Sequence, residues 1–223
     1  MNITPRVRLS ANSAIQPMIT RTPYHRAVRW HPKDEEMNQQ QPPLSIFLTQ
    51  NAFVRMCAHA GSDLDNEIGG WMAGKYCRES QDGTPFIVID TILPAVYTEQ
   101  GAAHITFTGD TQIALHNHLE EHFPEKVFLG WYHTHPRMGI FFSQWDTWLH
   151  QNFFPETWQV ALVIEPHQSI GGFFIRQHDG TLDQKKYFGF YELTNKRQRS
   201  VVYWRNMQPA DESIDEPEEV TSI

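Results

Sequence analysis

The sequence predicts an α+β domain in which one mostly β sheet is interrupted by two or three helices. Three observations predict it. Short apolar runs rich in β-branched and aromatic residues recur along the chain, and each is too short for a helix. Only a few stretches carry apolar residues at helical spacing. Hairpin signals, Glu165-Pro166 and His178-Asp179-Gly180, punctuate the later runs.

In chain order, residues 1–43 are polar, broken by prolines and closed by Gln39-Gln40-Gln41-Pro42-Pro43, which predicts an extended arm or linker with one strand around Ala27 to Trp30. Leu44 to Leu48 is a short apolar strand. Gln50 to Ala60 places Phe53, Val54, Cys57 and Ala58 at helical spacing, and Gly61 stops it. Ile68 to Tyr76, Phe86 to Leu93 and Ile105 to Phe107 read as strands. Thr108-Gly109-Asp110 opens a helix that runs to about His122 and ends before Pro124. Val127 to His135 is a strand expected to bury Phe128, Leu129, Trp131 and Tyr132. Ser143 to Phe153 is a helix closed by Pro155. Gln159 to Ile164, Gly172 to Arg176 and Lys186 to Glu192 complete the strands. The expected division is an arm over 1–43, a domain over 44–200 and an acidic tail over 201–223.

Apolar residues at 40% and aromatics at 13% are enough for one real core in 223 residues. The formal charge of -8 argues against nucleic acid as the main partner, since phosphate binding needs a basic face. Charge is uneven: Arg6, Arg8, Arg21, Arg26 and Arg29 lie at one end, and Asp211, Glu212, Asp215, Glu216, Glu218 and Glu219 at the other. The plain expectation for both ends is solvated chain. Cys57 and Cys77 form neither a disulfide framework nor a C-x-x-C site, which predicts reduced, buried thiols. With no signal-peptide pattern and no membrane-length apolar run, a soluble cytoplasmic protein is expected.

Chemistry concentrates between Trp131 and Trp148. His133 and His135 are two apart on a strand, so their imidazoles share a face with Cα atoms about 7 Å apart. Pro136 ends the strand, and Asp146 falls in the first turn of the following helix. Two His and one Asp suit an open zinc site with a fourth position left for water. A rival account needs no metal: Ser143-x-x-Asp146 is also a helix cap with an acid at N3. A hydrolytic zinc site further needs a base, and Glu67 in Asn66-Glu67-Ile68-Gly69-Gly70 is the candidate, although taken alone it reads as a surface acid. A second pattern, His118-Leu119-Glu120-Glu121-His122, fits the inverted zinc-protease motif with Glu192 as distant third ligand. Its plain alternative is a solvated helix face.

Glu67 followed by Ile68-Gly69-Gly70, then His133-Thr134-His135-Pro136, then seven residues from the second His, then Ser143-Gln144-Trp145-Asp146, resembles the JAMM (MPN-plus) metallopeptidase signature at every position. The resemblance covers roughly residues 44–192. It implies a curved mixed sheet flanked by helices, similar to cytidine deaminase, with one zinc ion held by His133, His135 and Asp146. It implies Glu67 as general base and later proton donor to the leaving amine, and Ser143 as a holder of the water or the developing oxyanion. The implied reaction is hydrolysis after the C-terminal glycine of ubiquitin or a ubiquitin-like protein, with that protein and its conjugates as partners. The wording from Gly130 to Trp148 is more similar to stand-alone bacterial members. Some of those sit beside ubiquitin-like, activating and conjugating proteins in antiphage operons. The same family contains metal-free scaffolds, but this chain keeps every ligand position. A deaminase reading fails for want of an H-x-E and P-C-x-x-C pair. Met138 to Phe142 either packs on substrate or joins the core.

Overall fold

The computed structural model describes residues 15–38, 42–95, 98–101, 104–107, 109–177, 179–194 and 199–210. Its strands are β1 (Met18–Thr20), β2 (Ala27–Pro32), β3 (Ser45–Thr49), β4 (Gly69–Glu79), β5 (Pro85–Pro94), β6 (Thr98–Gly101), β7 (His104–Phe107), β8 (Val127–Thr134), β9 (Val160–Glu165), β10 (Ile170–Phe174), β11 (Phe190–Leu193) and β12 (Met207–Pro209). The helices are α1 (Glu35–Asn38), α2 (Gln50–Ala60), α3 (Gly109–His122) and α4 (Gln144–Phe153).

Ten strands form one mixed sheet in the order β10-β9-β8-β4-β5-β3-β11-β2-β12, with β1 added parallel to the far half of β4. β6 and β7 pair separately as an antiparallel ribbon. β8 and β9, near one end of this order, are buried on both faces. Every residue of β9 is buried, as are six of the eight in β8, which is the pattern of a sheet covered on both sides. On one face α2 packs Phe53 and Met56 against Met72, Ile87, Leu129, Tyr132 and Leu162. On the other, Leu115 and Leu119 of α3 and Leu149 of α4 cover Trp71, Trp131, Ala161, Val163 and Phe174. α2 starts at Thr49, whose hydroxyl accepts the Ala52 amide at 3.3 Å, and this satisfies one of the first-turn N–H groups.

β8 carries a bulge that decides what faces where. Met72 of β4 pairs with Gly130, but the next residue, Ala73, pairs with Phe128, so Leu129 and Gly130 together oppose one partner. Leu129 and Tyr132, three apart, therefore share the α2 face, while Trp131 turns to the other. Gly130 is needed there: its φ is +146°, and an added Cβ would meet the Val160 carbonyl oxygen at 1.8 Å.

The ends depart from the sequence expectation. Within the segment expected as an arm, β2 pairs with β11 and β12, and β1 lies along β4 at Met18↔Cys77. Within the expected tail, β12 extends the same sheet. The strand expected near Ala27 is present and longer. β1, β2 and β12 lie toward the rim of the sheet and are only half-covered, so they lack the apolar runs that betray central strands. The strand expected over Lys186 to Glu192 shortens to β11, leaving Phe188 as an isolated bridge to Phe173. Arg6, Arg8, Thr108, His178 and the acidic run from Asp211 lie outside the described residues.

Candidate metal centre

β8 delivers His133 from its last turn of pleat, and His135 follows one residue past its end. Both are buried. Below the bulge the alternation sends Trp131 and His133 to one face, where the indole stacks on the imidazole at 4.5 Å and 11°. His135 is held by its amide donating to Ile164 O at 2.8 Å and by the Phe141 ring at 4.7 Å. The two Nε2 atoms end 3.0 Å apart. Asp146 brings Oδ1 to 3.3 Å from His133 Nε2 and Oδ2 to 3.7 Å from His135 Nε2.

These separations fit one ion. A tetrahedral zinc with bonds of roughly 2.1 Å spaces its ligand atoms about 3.4 Å apart. Among the described residues, His133, His135 and Asp146 are the group of three whose ligand atoms converge. Neither Nδ1 atom of the pair has a hydrogen-bond partner there, so each ring's one directed polar contact points into the cluster. Burial pushes the Asp146 carboxyl up, but the charge of His133 and hydrogen bonds from His133, His135 and Ser143 outweigh it and hold the group well below the usual carboxylate range. Burial pushes His135 down, which favours the neutral ring a metal requires.

The cap at Ser143-x-x-Asp146 is present and is compatible with Asp146 facing the two histidines. Ser143 is the N-cap of α4, its Oγ accepting the Asp146 amide at 3.1 Å, and Asp146 Oδ2 accepts the Ser143 amide at 2.7 Å. The helix start itself thus orients the carboxylate, and the positive end of α4 favours its charge. Thr147 and Gln184 fasten this turn: Gln184 Nε2 donates to Thr147 Oγ1, and Gln184 O accepts the Phe142 amide.

Glu67 is buried, two residues before β4, and its negative charge bears on His135. The next residue is clamped to the ligand strand. Ile68 N donates to Thr134 Oγ1 at 2.9 Å, and Thr134 N donates to Ile68 O at 2.8 Å. Thr134, between the two histidines, was not singled out in the sequence, although an even position on a strand with candidate ligands at odd ones must face away from them, toward the opposite side of the sheet. Met138 to Phe142 divides: Phe142 is core, stacked on Phe174 at 4.9 Å, while Met138 and Phe141 are 41% and 36% exposed beside the site.

Two further buried groups support the cluster. His150 of α4 accepts the Trp131 indole N–H at Nδ1, 3.1 Å away, and burial, helped by the Arg176 charge, pushes it down to about 3. Arg176 donates to the carbonyls of His150, Phe154 and Glu156, which closes the C-terminal end of α4.

The rival motif does not assemble. His118 and His122 are exposed on α3 with rings stacked 4.3 Å apart, and His122 Nδ1 contacts the His118 carbonyl. Glu192 is fully buried in β11, where its carboxylate accepts from Trp30, Gln50, Ser200 and Val201. All of that acceptor capacity is structural, because it ties β2, α2 and the 199–202 segment to the sheet.

An α+β domain with a His–His–Asp cluster at the end of a central strand is the class these observations define. Residues 49–176, more than half of the chain, match the family of prokaryotic homologs of the JAB domain, and the chain belongs to that family. Its curved mixed sheet with few helices is the family's fold. The chain is 28% identical over 130 residues to 26S proteasome non-ATPase regulatory subunit 14 of Dictyostelium discoideum, spanning 57% of this chain and 40% of that protein. It is 25% identical over 129 residues to ubiquitin carboxyl-terminal hydrolase RPN11 of Saccharomyces cerevisiae, again 57% and 40%. A shorter match, 44% over 57 residues, joins 24% of this chain to 17% of the NAD(+) hydrolase TcpA of Theionarchaea archaeon. The match thus spans less than half the length of these relatives. The solution structure of DSY2949 from Desulfitobacterium hafniense superposes with a TM-score of 0.49 at 22% identity, covering 71% of this chain and 98% of that one, a likeness too loose to carry an argument.

Proposed function

We propose that this chain is a zinc-dependent isopeptidase that cleaves after the C-terminal glycine of a ubiquitin-like protein. The observation that carries the reading is the convergence of His133 Nε2, His135 Nε2 and the Asp146 carboxylate on one buried point. His133, His135 and Asp146 would hold one zinc ion. When bound, zinc supplies a water with a pKa of about 7 and polarises the scissile carbonyl.

The chain's own residues do the rest. Glu67 accepts the proton of the attacking water and returns it to the departing lysine amine. Ser143 Oγ accepts the Asp146 amide, and its hydroxyl proton, which otherwise bears on the Asp146 carboxylate, turns to the oxyanion as that charge develops. Met138 and Phe141 offer an apolar rim along which an extended tail lies. The named activity of the yeast relative supports this substrate class. In this reading the partners are a ubiquitin-like protein, its conjugates and the cognate activating and conjugating enzymes of a bacterial antiphage system, in the cytoplasm.

The test is a panel of ubiquitin-like fusions incubated with the full chain, with and without a zinc chelator. Cleavage after the terminal glycine that is abolished by chelation and restored by zinc is the expected result. Cleavage indifferent to the chelator, or none across the panel from a zinc-loaded chain, counts against it.

A further inference from the structure

The turn that leaves His135 is built in an unusual way. Met138 N donates to His135 O at 3.2 Å, Pro136 occupies the second place of the turn, and Arg137 the third with φ of +63°. That is the signature of a type II turn, whose third place asks for Gly or Asn. A glycine is available two residues on, yet an arginine takes the left-handed position. Among the described residues, Arg137 and Ser169 are the non-glycine residues with positive φ.

Both belong to turns that converge on one buried carboxylate. Glu165, the last residue of β9, is fully buried. Its Oε1 accepts the amides of Arg137 and His167, each at 3.0 Å, and its Oε2 accepts the Gln168 amide at 2.8 Å. Three backbone donors from two turns are thus gathered by one side chain, as an ionised carboxylate can do and an amide cannot. From this position each turn reaches toward the loop that leads to Glu67. Arg137 Nη1 lies 3.3 Å from Asp65 Oδ1, and His167 Nε2 donates to Leu64 O at 2.8 Å. The loop is itself folded around Asp63, which accepts the amides of Asp65 and Asn66.

We infer that Glu165 and Arg137 are positioning residues: buried Glu165 fixes the turn after His135, and Arg137 carries that fix across to the loop holding Glu67. The inference rests on the metal-centre reading above and deepens it. The histidine pair ends β8 and Glu67 precedes β4, and Thr134–Ile68 joins the two on the inner side. The Glu165–Arg137–Asp65 chain joins them on the outer side. An exposed pair such as Arg137–Asp65, with side chains 65% and 82% accessible, adds little to stability, so its effect belongs in the site's geometry.

The experiment uses the full chain with Glu165→Gln, Arg137→Asn, Asp65→Asn and the last two combined. Asparagine tolerates the left-handed turn and removes only the guanidinium. In metal-free protein, hydrogen exchange of residues 63–68 is expected to rise about tenfold in each strap variant, and that of 136–139 in Glu165→Gln. Zinc affinity by chelator competition is expected to fall about tenfold in Glu165→Gln, the scale typical of groups that orient ligands. With a cleavable fusion, Arg137→Asn and Asp65→Asn are each expected to lower kcat about tenfold at near-constant KM, and the double variant to lower it no further. Unchanged exchange in all variants overturns the inference. So does a rise in KM for Arg137→Asn alone with Asp65→Asn silent, which makes Arg137 a substrate contact. A wild-type chain that takes up no zinc defeats the metal reading instead, and the strap is then decided by exchange alone.

Discussion

Two histidine pairs in this chain match zinc motifs, and among the described residues only one of them is brought together with an acid into a candidate site. His133 and His135 are two apart on β8, buried, with both Nε2 atoms aimed at Asp146. His118 and His122 are four apart on α3, exposed, and stacked on each other instead of converging with an acid. The buried face of α3 is Leu115 and Leu119, and the histidines lie one step round from it. Spacing brings two rings together in both cases. A converging acid and the loss of water separate them, and both come from a neighbouring element: α4 supplies them for one pair, and no described residue supplies them for the other.

The sharpest way to break this comparison is metal content after dialysis. We expect about one zinc per chain in the wild type and in His122→Ala, and none in His133→Ala or Asp146→Ala. Zinc retained in Asp146→Ala would remove that residue from the ligand set. Glu67→Gln sharpens it further, with zinc and fold kept and turnover reduced by roughly 100- to 10,000-fold in single-turnover assays. A variant as fast as wild type would place the base elsewhere.

A third test concerns His150, which no motif flagged. Its ordinary value of 6.5 is pushed down to about 3 in the fold, so between those values the unfolded chain binds the extra proton. Stability should therefore fall as pH drops from 6.5 toward 3, by at most about 1.4 kcal/mol per pH unit from this group. Urea midpoints at pH 7 and pH 5 are expected to differ less in His150→Asn than in wild type. An equal difference would mean that another group sets the slope. An effect of similar size is expected of Thr134→Val, which leaves the buried Ile68 amide with no hydroxyl acceptor and costs about 1–3 kcal/mol in the same measurement. A midpoint unchanged by that substitution would show the clamp to be idle.

The pairing of His133 with His135 was legible because a strand's period of two is strict and Pro136 marks where it ends. Asp146 was legible as a cap, and the cap turned out to be the device that aims the carboxylate. Glu165 was not: the sequence offered it only as half of a hairpin signal, since its three donors are main-chain amides that no composition encodes. Nor were β1 and β12, because a strand pairing at a half-covered rim needs backbone groups more than apolar side chains. The inverted-protease pattern was legible and misleading, for a reason local spacing cannot contain. Glu192 has its acceptors committed to Trp30, Gln50, Ser200 and Val201.

The doubled step at Leu129 and Gly130 has a consequence for the histidines downstream. It switches odd-numbered residues from one side of the sheet to the other, so Leu129 faces α2 while Trp131 faces the α3 and α4 side, as does His133 two residues on. Removing Leu129 alone would let Phe128 and Gly130 pair regularly with Ala73 and Met72, so His133 would keep its face and only the α2 side would lose a side chain.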